Sequence, residues 1–230
     1  RMGKGAVYGG LNYNGIELDD EAMEKLELQR GELASFLPGT AEEADFFEEC
    51  YVHNHMEYRA YRLEKGTSQS FKALPADSIR ILHLGTHGFY NKNYLDLQSS
   101  KDAPDAALLN SGLLFSGANM QILGILDNVI SDDCILTARD IANLDFSSVR
   151  LAVISACESG LGAVDAGEGV FGLQRGFKKA GVQSLIMSLW KVDDAATAIF
   201  MKRFYENWLL ENNDIHSSFD EARKYLRTYR

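Results

Sequence analysis

The stretch HLGTHG, residues 83–88, decides the fold together with the stretch SACESG, residues 155–160. Each follows an apolar run typical of a buried strand, residues 79–84 before the first and residues 151–154 before the second. A parallel sheet covered on both faces has strands of this kind. Side chains that follow the carboxyl ends of such strands converge at one edge of the sheet. We therefore expect the two stretches to meet and to form a site.

The rest of the chain alternates strand and helix patterns, which predicts a mostly parallel sheet covered by helices on both faces. Further strands are predicted at residues 6–13, 58–63, 113–115 and 182–189. Helices are predicted at residues 20–36, 40–50 (with Thr40 as N-cap), 68–74, 138–143, 170–180, 195–210 and 217–229. Residues 159–169 hold four glycines in eleven residues, which is typical of a mobile loop.

Composition places the chain among globular domains with an acidic surface. At 230 residues, 46% of them hydrophobic and 24% charged, it can bury a core as one domain over residues 1–230. Its abrupt opening suggests a piece of a longer protein. A net charge of -10 without a basic stripe argues against nucleic-acid binding, and no apolar run approaches a membrane span. Three cysteines without framework spacing favour a reducing compartment, so we expect a cytoplasmic protein.

His87 and Cys157 carry the chemistry that the two stretches suggest. A free thiol is mostly protonated at neutral pH, and a histidine is the natural base to activate it. Acyl transfer also needs donors for the oxyanion, and the backbone N–H groups of Gly88 and Cys157 are the candidates. Either residue alone is more often a buried hydrophobe or a turn histidine. Their joint placement beside glycines favours a catalytic dyad.

Other groupings of polar residues give weaker signals. Cys50, His53 and His55 lack a fourth ligand and fit no common zinc spacing, so no metal or cofactor is expected. His83 lies on the opposite side of its strand from Leu84 and is interpreted as a core histidine with a satisfied hydrogen bond.

The motifs, in their order along the chain, resemble those of the CHAT domain, a caspase-like module usually found behind tetratricopeptide repeats in bacterial proteins. The matching stretches are YGGLNY at 8–13, LPGT at 37–40, HLGTHG at 83–88, SGLLFSGAN at 111–119, LTARDI at 136–141, SACESG at 155–160, GEGV at 167–170 and SLWKVDD at 188–194. The resemblance implies a three-layer α/β/α sandwich and a His87/Cys157 dyad that hydrolyses peptide bonds through a thioester. It also implies a protein or peptide substrate and regulation by an attached repeat region or a partner.

Specificity is predicted from residues near the dyad. Related peptidases that cut after basic residues often carry an acidic residue two positions before the cysteine. This chain has Ser155 there, a departure that weakens the prediction of a basic P1 residue, and Ser155 is itself a candidate for contact with the substrate. Separase, a distant relative, carries a pocket aspartate after a Trp-x-Val-x string, and Asp194 stands at that place here. The resemblance therefore implies a basic P1 residue held by Asp194, whereas Asp193 and Asp194 can instead simply begin a helix. Glu158 and Trp190 are further candidates for the substrate cleft, each with an ordinary alternative as a solvated charge or a packed ring.

Two functions remain open at this point. The first is a cysteine endopeptidase restrained until a sensor or partner reorders its loops. The second is a catalytically silent caspase-like scaffold that serves in protein interaction. A nucleophile-elbow hydrolase is disfavoured because SACESG has no glycine two places before the cysteine.

Overall fold

The computed structural model describes residues 3–15, 33–75, 77–90, 106–124, 134–158, 166–188 and 192–229. The strands are β1 (Lys4–Leu11), β2 (Tyr58–Leu63), β3 (Ile79–Tyr90), β4 (Ser111–Leu114), β5 (Ile135–Thr137), β6 (Leu151–Glu158) and β7 (Ser184–Met187). The helices are α1 (Pro38–His53), α2 (Ser68–Lys72), α3 (Ala106–Asn110), α4 (Ala118–Ile122), α5 (Ala138–Ala142), α6 (Ala166–Lys179), α7 (Asp194–Tyr205) and α8 (Ile215–Thr228). A short π-helical segment, Glu206–Leu210, extends α7.

The strands within these ranges form one seven-stranded sheet. Five of them pair in parallel in the order β2-β1-β3-β6-β7. The end of β3 then pairs antiparallel with β4, and β4 with β5. The predicted mostly parallel sheet is confirmed.

Helices cover both faces of the sheet, and each face has its own core. On one face, α2, α3, α5 and α6 pack around a cluster that includes Phe71, Phe115 and Phe177. On the other, α1, α7 and α8 pack around Phe47 and Tyr205. Successive strand residues alternate between these two cores, as the period of a strand requires. The result is the three-layer α/β/α sandwich that the sequence predicted.

The two strands that carry the candidate dyad are longer than predicted. β3 continues to Tyr90 and β6 to Glu158. His87 and Cys157 therefore lie within the last residues of the two strands and do not follow the strand ends. The extension is stable because other strands pair with it: β6 with residues 85–88 on one edge and β4 with residues 88–90 on the other. The backbone of residues 85–90 therefore finds hydrogen-bond partners that an apolar pattern does not reveal.

Several predicted helix limits need correction. The α1 N-cap is Leu37, with Pro38 in the first turn, and not Thr40. The Thr40 hydroxyl instead accepts a 3.0 Å bond from the Gly10 N–H and donates a 2.8 Å bond to the Leu37 carbonyl. Helix α6 already begins at Ala166, inside the predicted glycine-rich loop.

Other predicted segments are only partly described. Residues 33–36 are not helical, whereas most of the helix predicted at 20–36 lies outside the described residues. Residues 159–165 of the predicted mobile loop also lie outside them.

A glycine in β3 allows α1 to approach the sheet. A Cβ on Gly85 would lie 2.7 Å from Cβ of Thr40 and 3.2 Å from the Tyr8 carbonyl oxygen. A Cβ on Gly88, three residues along the same strand, would meet nothing closer than 3.6 Å. Gly85, unlike Gly88, therefore sets how closely the first turn of α1 can pack on the strand.

We predict that Gly85→Ala lowers the free energy of unfolding by about 1–3 kcal/mol, because the added methyl group overpacks the contact with Thr40. Urea unfolding followed by circular dichroism measures the change. Gly88→Ala is the matched control and should stay within about 0.5 kcal/mol of the wild type. Equal effects of the two substitutions would show that the contact with α1 is not what requires glycine.

Candidate active site

The pairing of β3 with β6 brings the two candidate catalytic positions together. The Cα of His87 is the register partner of the Cα of Cys157. Neighbouring strands lie about 4.8 Å apart, and register partners in a parallel pair belong to the same face of the sheet. That face is the one covered by α1, α7 and α8, because Ile81 and Val153, at even spacing from the two positions, belong to its core.

The His87 side chain is buried between a backbone carbonyl and an aromatic ring. Its Nε2 lies 2.7 Å from the carbonyl oxygen of Ser35. Its ring centroid lies 4.9 Å from that of Tyr13, at a tilt of 59°. Only 5% of the residue is exposed. The imidazole therefore has a fixed orientation at the edge of the sheet.

The contact with Ser35 determines which ring nitrogen of His87 carries a proton. A carbonyl oxygen can only accept, so Nε2 donates and Nδ1 of the neutral ring holds a lone pair. Nδ1 is buried and has no hydrogen-bond partner among the described residues. Nδ1, the nitrogen that can act as a base, is thus the one that makes no hydrogen bond to the described residues.

Burial lowers the pKa of His87 below the ordinary value of 6.5, against the opposing effects of the Ser35 hydrogen bond and the charge of Asp194. The imidazole is therefore neutral at pH 7 and available as a base. Since the unfolded chain binds this proton more readily, the stability that the neutral His87 contributes is present above pH 6.5. It is lost as the pH falls through the lower pKa of the folded state.

Residues 33–37, which we call the strap, carry the Ser35 carbonyl to His87, and Asn119 holds the strap in place. The Asn119 side chain accepts a 2.9 Å hydrogen bond from the Ala34 N–H and donates one of 2.9 Å to the Ala34 carbonyl. It also donates to the side chain of Asn14 at 2.7 Å. Asn119 is 1% exposed. This amide fixes the backbone beside Ser35 and so fixes the acceptor for His87.

Asp194 lies at the start of α7 and contacts the first turn of α1. Its Oδ2 accepts a 2.6 Å hydrogen bond from the Gly39 N–H. Asp193 is the N-cap of α7 and accepts a 2.9 Å bond from the Ala196 N–H. Both aspartates therefore lie at the beginning of α7, as the alternative interpretation of the sequence predicted. The charge of Asp194 also acts on His87, a link that the sequence did not suggest.

A buried polar network lies below the dyad positions on the same face. The Ser155 hydroxyl donates a 2.8 Å hydrogen bond to Oε1 of Glu43. Oε2 of Glu43 lies 2.9 Å from Nε2 of His83, although off the direction of the ring N–H. Nδ1 of His83 shares a 2.8 Å hydrogen bond with the Tyr205 hydroxyl. The interpretation of His83 as a core histidine agrees with its complete burial and with the hydrogen bond of Nδ1, whereas Nε2 has no hydrogen bond and only the contact with Glu43.

Sequence reasoning missed three of these functional residues. Glu43 is 1% exposed, and nothing in the sequence distinguishes this buried carboxylate from its acidic neighbours on α1. Asn119 belongs to a motif that resembles the family's, but nothing in the sequence links it to the strap. Ser35 acts through its backbone, which leaves no signal in side-chain patterns.

The remaining predicted site residues have the following positions. Gly88 lies within β3, in register with Leu113 on one side and Glu158 on the other. Glu158 is the last residue of β6. Trp190 lies outside the described residues. The oxyanion role of Gly88 and the substrate contacts of Glu158 and Trp190 stay predictions.

Comparison with known proteins assigns the family. The sequence model of the CHAT domain matches residues 18–229. The chain belongs to the CHAT domain family. The α/β/α sandwich and its mostly parallel sheet agree with the caspase-like fold expected of a CHAT domain.

Two mammalian proteins resemble part of this CHAT domain. Tetratricopeptide repeat protein 28 of Mus musculus is 35% identical over 96 residues, which are 42% of this chain and 4% of the relative. The Homo sapiens protein of the same name is 33% identical over the same shares. The chain thus matches about 4% of the length of these relatives. Both names agree with the expected link between a CHAT domain and tetratricopeptide repeats.

No helix among the described residues of the CHAT domain is long and apolar enough to cross a membrane.

We predict that Asp194→Asn lowers the pKa of His87 further, because it removes the negative charge that favours the imidazolium while an amide oxygen can still accept from Gly39. The measurement is an NMR titration of the His87 ring in a Cys157→Ala background, in which no thiol titrates nearby. Asp193→Asn is the control on the neighbouring residue and should change this pKa less. An unchanged or raised His87 pKa in Asp194→Asn would contradict the electrostatic link.

Proposed function

We propose that this CHAT domain is a cysteine endopeptidase in which His87 activates Cys157 for attack on a peptide bond. The observation that carries the proposal is the register pairing of the two residues on adjacent parallel strands. Membership of a caspase-like family supports the substrate class, a protein or peptide. The proposal needs no metal or cofactor.

The surroundings of His87 support its role as a general base. Its Nε2–H is bound to the Ser35 carbonyl, which leaves Nδ1 unprotonated and without a described partner. Its lowered pKa keeps the ring neutral at pH 7, so that the ring can accept the thiol proton of Cys157. The Ser35 carbonyl can also stabilise the imidazolium, since the donor it binds becomes more acidic when the ring is charged.

The proposed reaction has two stages. Nδ1 of His87 takes the thiol proton of Cys157, and the thiolate attacks the scissile carbonyl to form a tetrahedral oxyanion. The C–N bond then breaks as the imidazolium gives its proton to the leaving amine, which leaves a thioester on Cys157. A water molecule, deprotonated by Nδ1, attacks the thioester, and the thiol is regenerated as the carboxylic acid product departs.

Regulation by an attached repeat region or a partner is part of the proposal. Tetratricopeptide repeat proteins are the relatives that share this segment, and the chain matches only a small part of their length. The strap is the described segment through which such control can act. It positions His87 by a backbone contact, and it is held in turn by Asn119 at Ala34 and by the Thr40 hydroxyl at Leu37.

The predicted preference for a basic P1 residue depends on Asp194. One oxygen of that carboxylate is already 2.6 Å from the Gly39 N–H, and its charge acts on His87. These contacts support a positioning role for Asp194 at the base of the strap. A role for the same carboxylate in holding a substrate arginine stays a prediction.

The second candidate function, a catalytically silent scaffold, has support from the burial of His87. Only 5% of this residue is exposed and its Nδ1 is buried, so the proposed base presents little surface to a substrate. A scaffold would keep the same fold and the same buried network but would show no thiol reactivity at position 157.

We predict that a peptidyl acyloxymethyl ketone labels Cys157 and that Cys157→Ala abolishes both labelling and turnover. His87→Ala should lower turnover by about 100- to 10,000-fold, the usual contribution of a general base. Mass spectrometry of the labelled peptide and a fluorogenic peptide assay measure the two effects.

Cys50→Ala is the matched control and should label like the wild type, because burial raises the pKa of the Cys50 thiol to about 12. Undiminished labelling of the Cys157→Ala variant would exclude Cys157 as the nucleophile. An unlabelled wild-type domain would favour the scaffold.

A further inference from the structure

A cavity of about 770 Å³ lies beside β6 and β7 on the face that carries the dyad positions. We call it the β7 cavity. Its walls come from the ends of both strands and from the facing sides of α7 and α8. Its size falls within the range of about 300–1,000 Å³ that is common for ligand sites.

The β7 cavity begins next to the proposed nucleophile. Ser155, which lines it, precedes Cys157 by two positions, and alternation assigns both positions to one face of β6. Two residues of strand span about 6.6 Å. Just after the neighbouring strand β7, Ser188 also lines the cavity, and its hydroxyl donates a 3.3 Å hydrogen bond to the Ala156 carbonyl. Ser155 and Ser188 therefore bring the cavity near the backbone of Cys157, on the edge of β6 that pairs with β7 and not on the edge that pairs with β3.

The walls of the β7 cavity are mainly apolar. Its lining includes Val153, Ile186, Phe200, Met201 and Phe219. Val153 and Met201 are fully buried at its base, whereas Ile186, Phe200 and Phe219 keep part of their surface exposed. The free energy of binding is favourable when an apolar group covers partly exposed apolar side chains and removes their surface from water.

The polar side chains of the cavity are already engaged within the protein. The Ser155 hydroxyl donates to Glu43. Asp193 caps α7 through the Ala196 N–H, and Arg223 lies 2.9 Å from Asp220. One acidic and one basic residue line the cavity, so the side chains of the lining carry no net charge together. An uncharged apolar group is the ligand that these walls favour.

We propose that the β7 cavity binds a large apolar P1 side chain of the substrate, such as that of leucine, methionine or phenylalanine. The inference rests on the proposed peptidase function and adds the substrate class. The occupant is a substrate side chain because the cavity adjoins the strand position of Cys157. A scissile carbonyl at the thiol therefore places its own side chain next to these walls.

The first test measures binding and does not depend on catalysis. Peptides that differ only at P1 (Leu, Met, Phe, Ala, Lys, Arg and Asp) are added to the Cys157→Ala domain with ¹³C-labelled methionine methyl groups. We expect the apolar P1 peptides to shift the signal of Met201, which lines the cavity. Met56, which is absent from that lining, is the internal control. No shift at Met201 with any apolar peptide would overturn the proposal.

The second test measures cleavage of the same panel by the active domain. We expect kcat/KM for Leu, Met or Phe to exceed that for Ala, Lys and Asp by about 10-fold or more, the effect of filling an apolar pocket. A preference for Arg or Lys would overturn the proposal and support the predicted contact with Asp194. A preference for Asp would also overturn it and would indicate Arg223. Binding of apolar peptides without any cleavage and without labelling of Cys157 would refute the peptidase function and would leave the cavity as a binding site for apolar side chains instead of a P1 pocket.

A pair of alanines on α7 provides matched variants. Ala196 lines the β7 cavity, whereas the adjacent Ala195 is exposed and does not. Ala196→Leu should narrow the cavity, lower kcat/KM for Leu, Met and Phe by about 10-fold, and affect P1 Ala much less. Ala195→Leu should change neither. An equal loss for all P1 residues in Ala196→Leu, with unfolding temperature unchanged, would contradict the assignment.

Discussion

The parallel pairing of β3 with β6 is the constraint on which the rest of the site depends. It joins segments about seventy residues apart in the sequence and makes His87 and Cys157 register partners. Because the period of a strand is two, a slip of one residue would move one of the pair to the opposite face. Both faces of these strands are buried, so such a slip would exchange two apolar cores as well. The packing of the whole sandwich therefore enforces the alignment of the dyad positions.

A second layer of constraint comes from α1 and the strap that precedes it. Gly85 allows the first turn of α1 to lie against β3, the Gly39 N–H is bound by Asp194, and the strap then reaches His87. The histidine is thus held through backbone contacts that originate in three distant parts of the chain. Such contacts fix the tautomer of the ring without placing another titratable side chain on Nε2.

The sequence allowed the sheet, the order of most elements and the dyad positions to be predicted, since apolar runs and glycine-flanked polar residues carry those signals. It did not predict how far β3 extends, because the stability of residues 85–90 comes from β4 and β6 on either edge. Nor did it predict Ser35, Asn119 or Glu43. Their roles depend on a backbone carbonyl, a clamp across 85 residues and complete burial, none of which has a local pattern.

The face shared by His87 and Cys157 divides into a polar and an apolar part. Toward α1, buried carboxylate, imidazole and hydroxyl groups contact one another from Ser155 to Tyr205. Toward α7 and α8, the walls of the β7 cavity are mainly apolar and do not belong to that network. Ser155 belongs to both, and its hydroxyl is turned to Glu43. Ser155, two positions before the candidate nucleophile, is therefore bound to the polar network. The apolar part of this face is the part that we propose to contact the substrate.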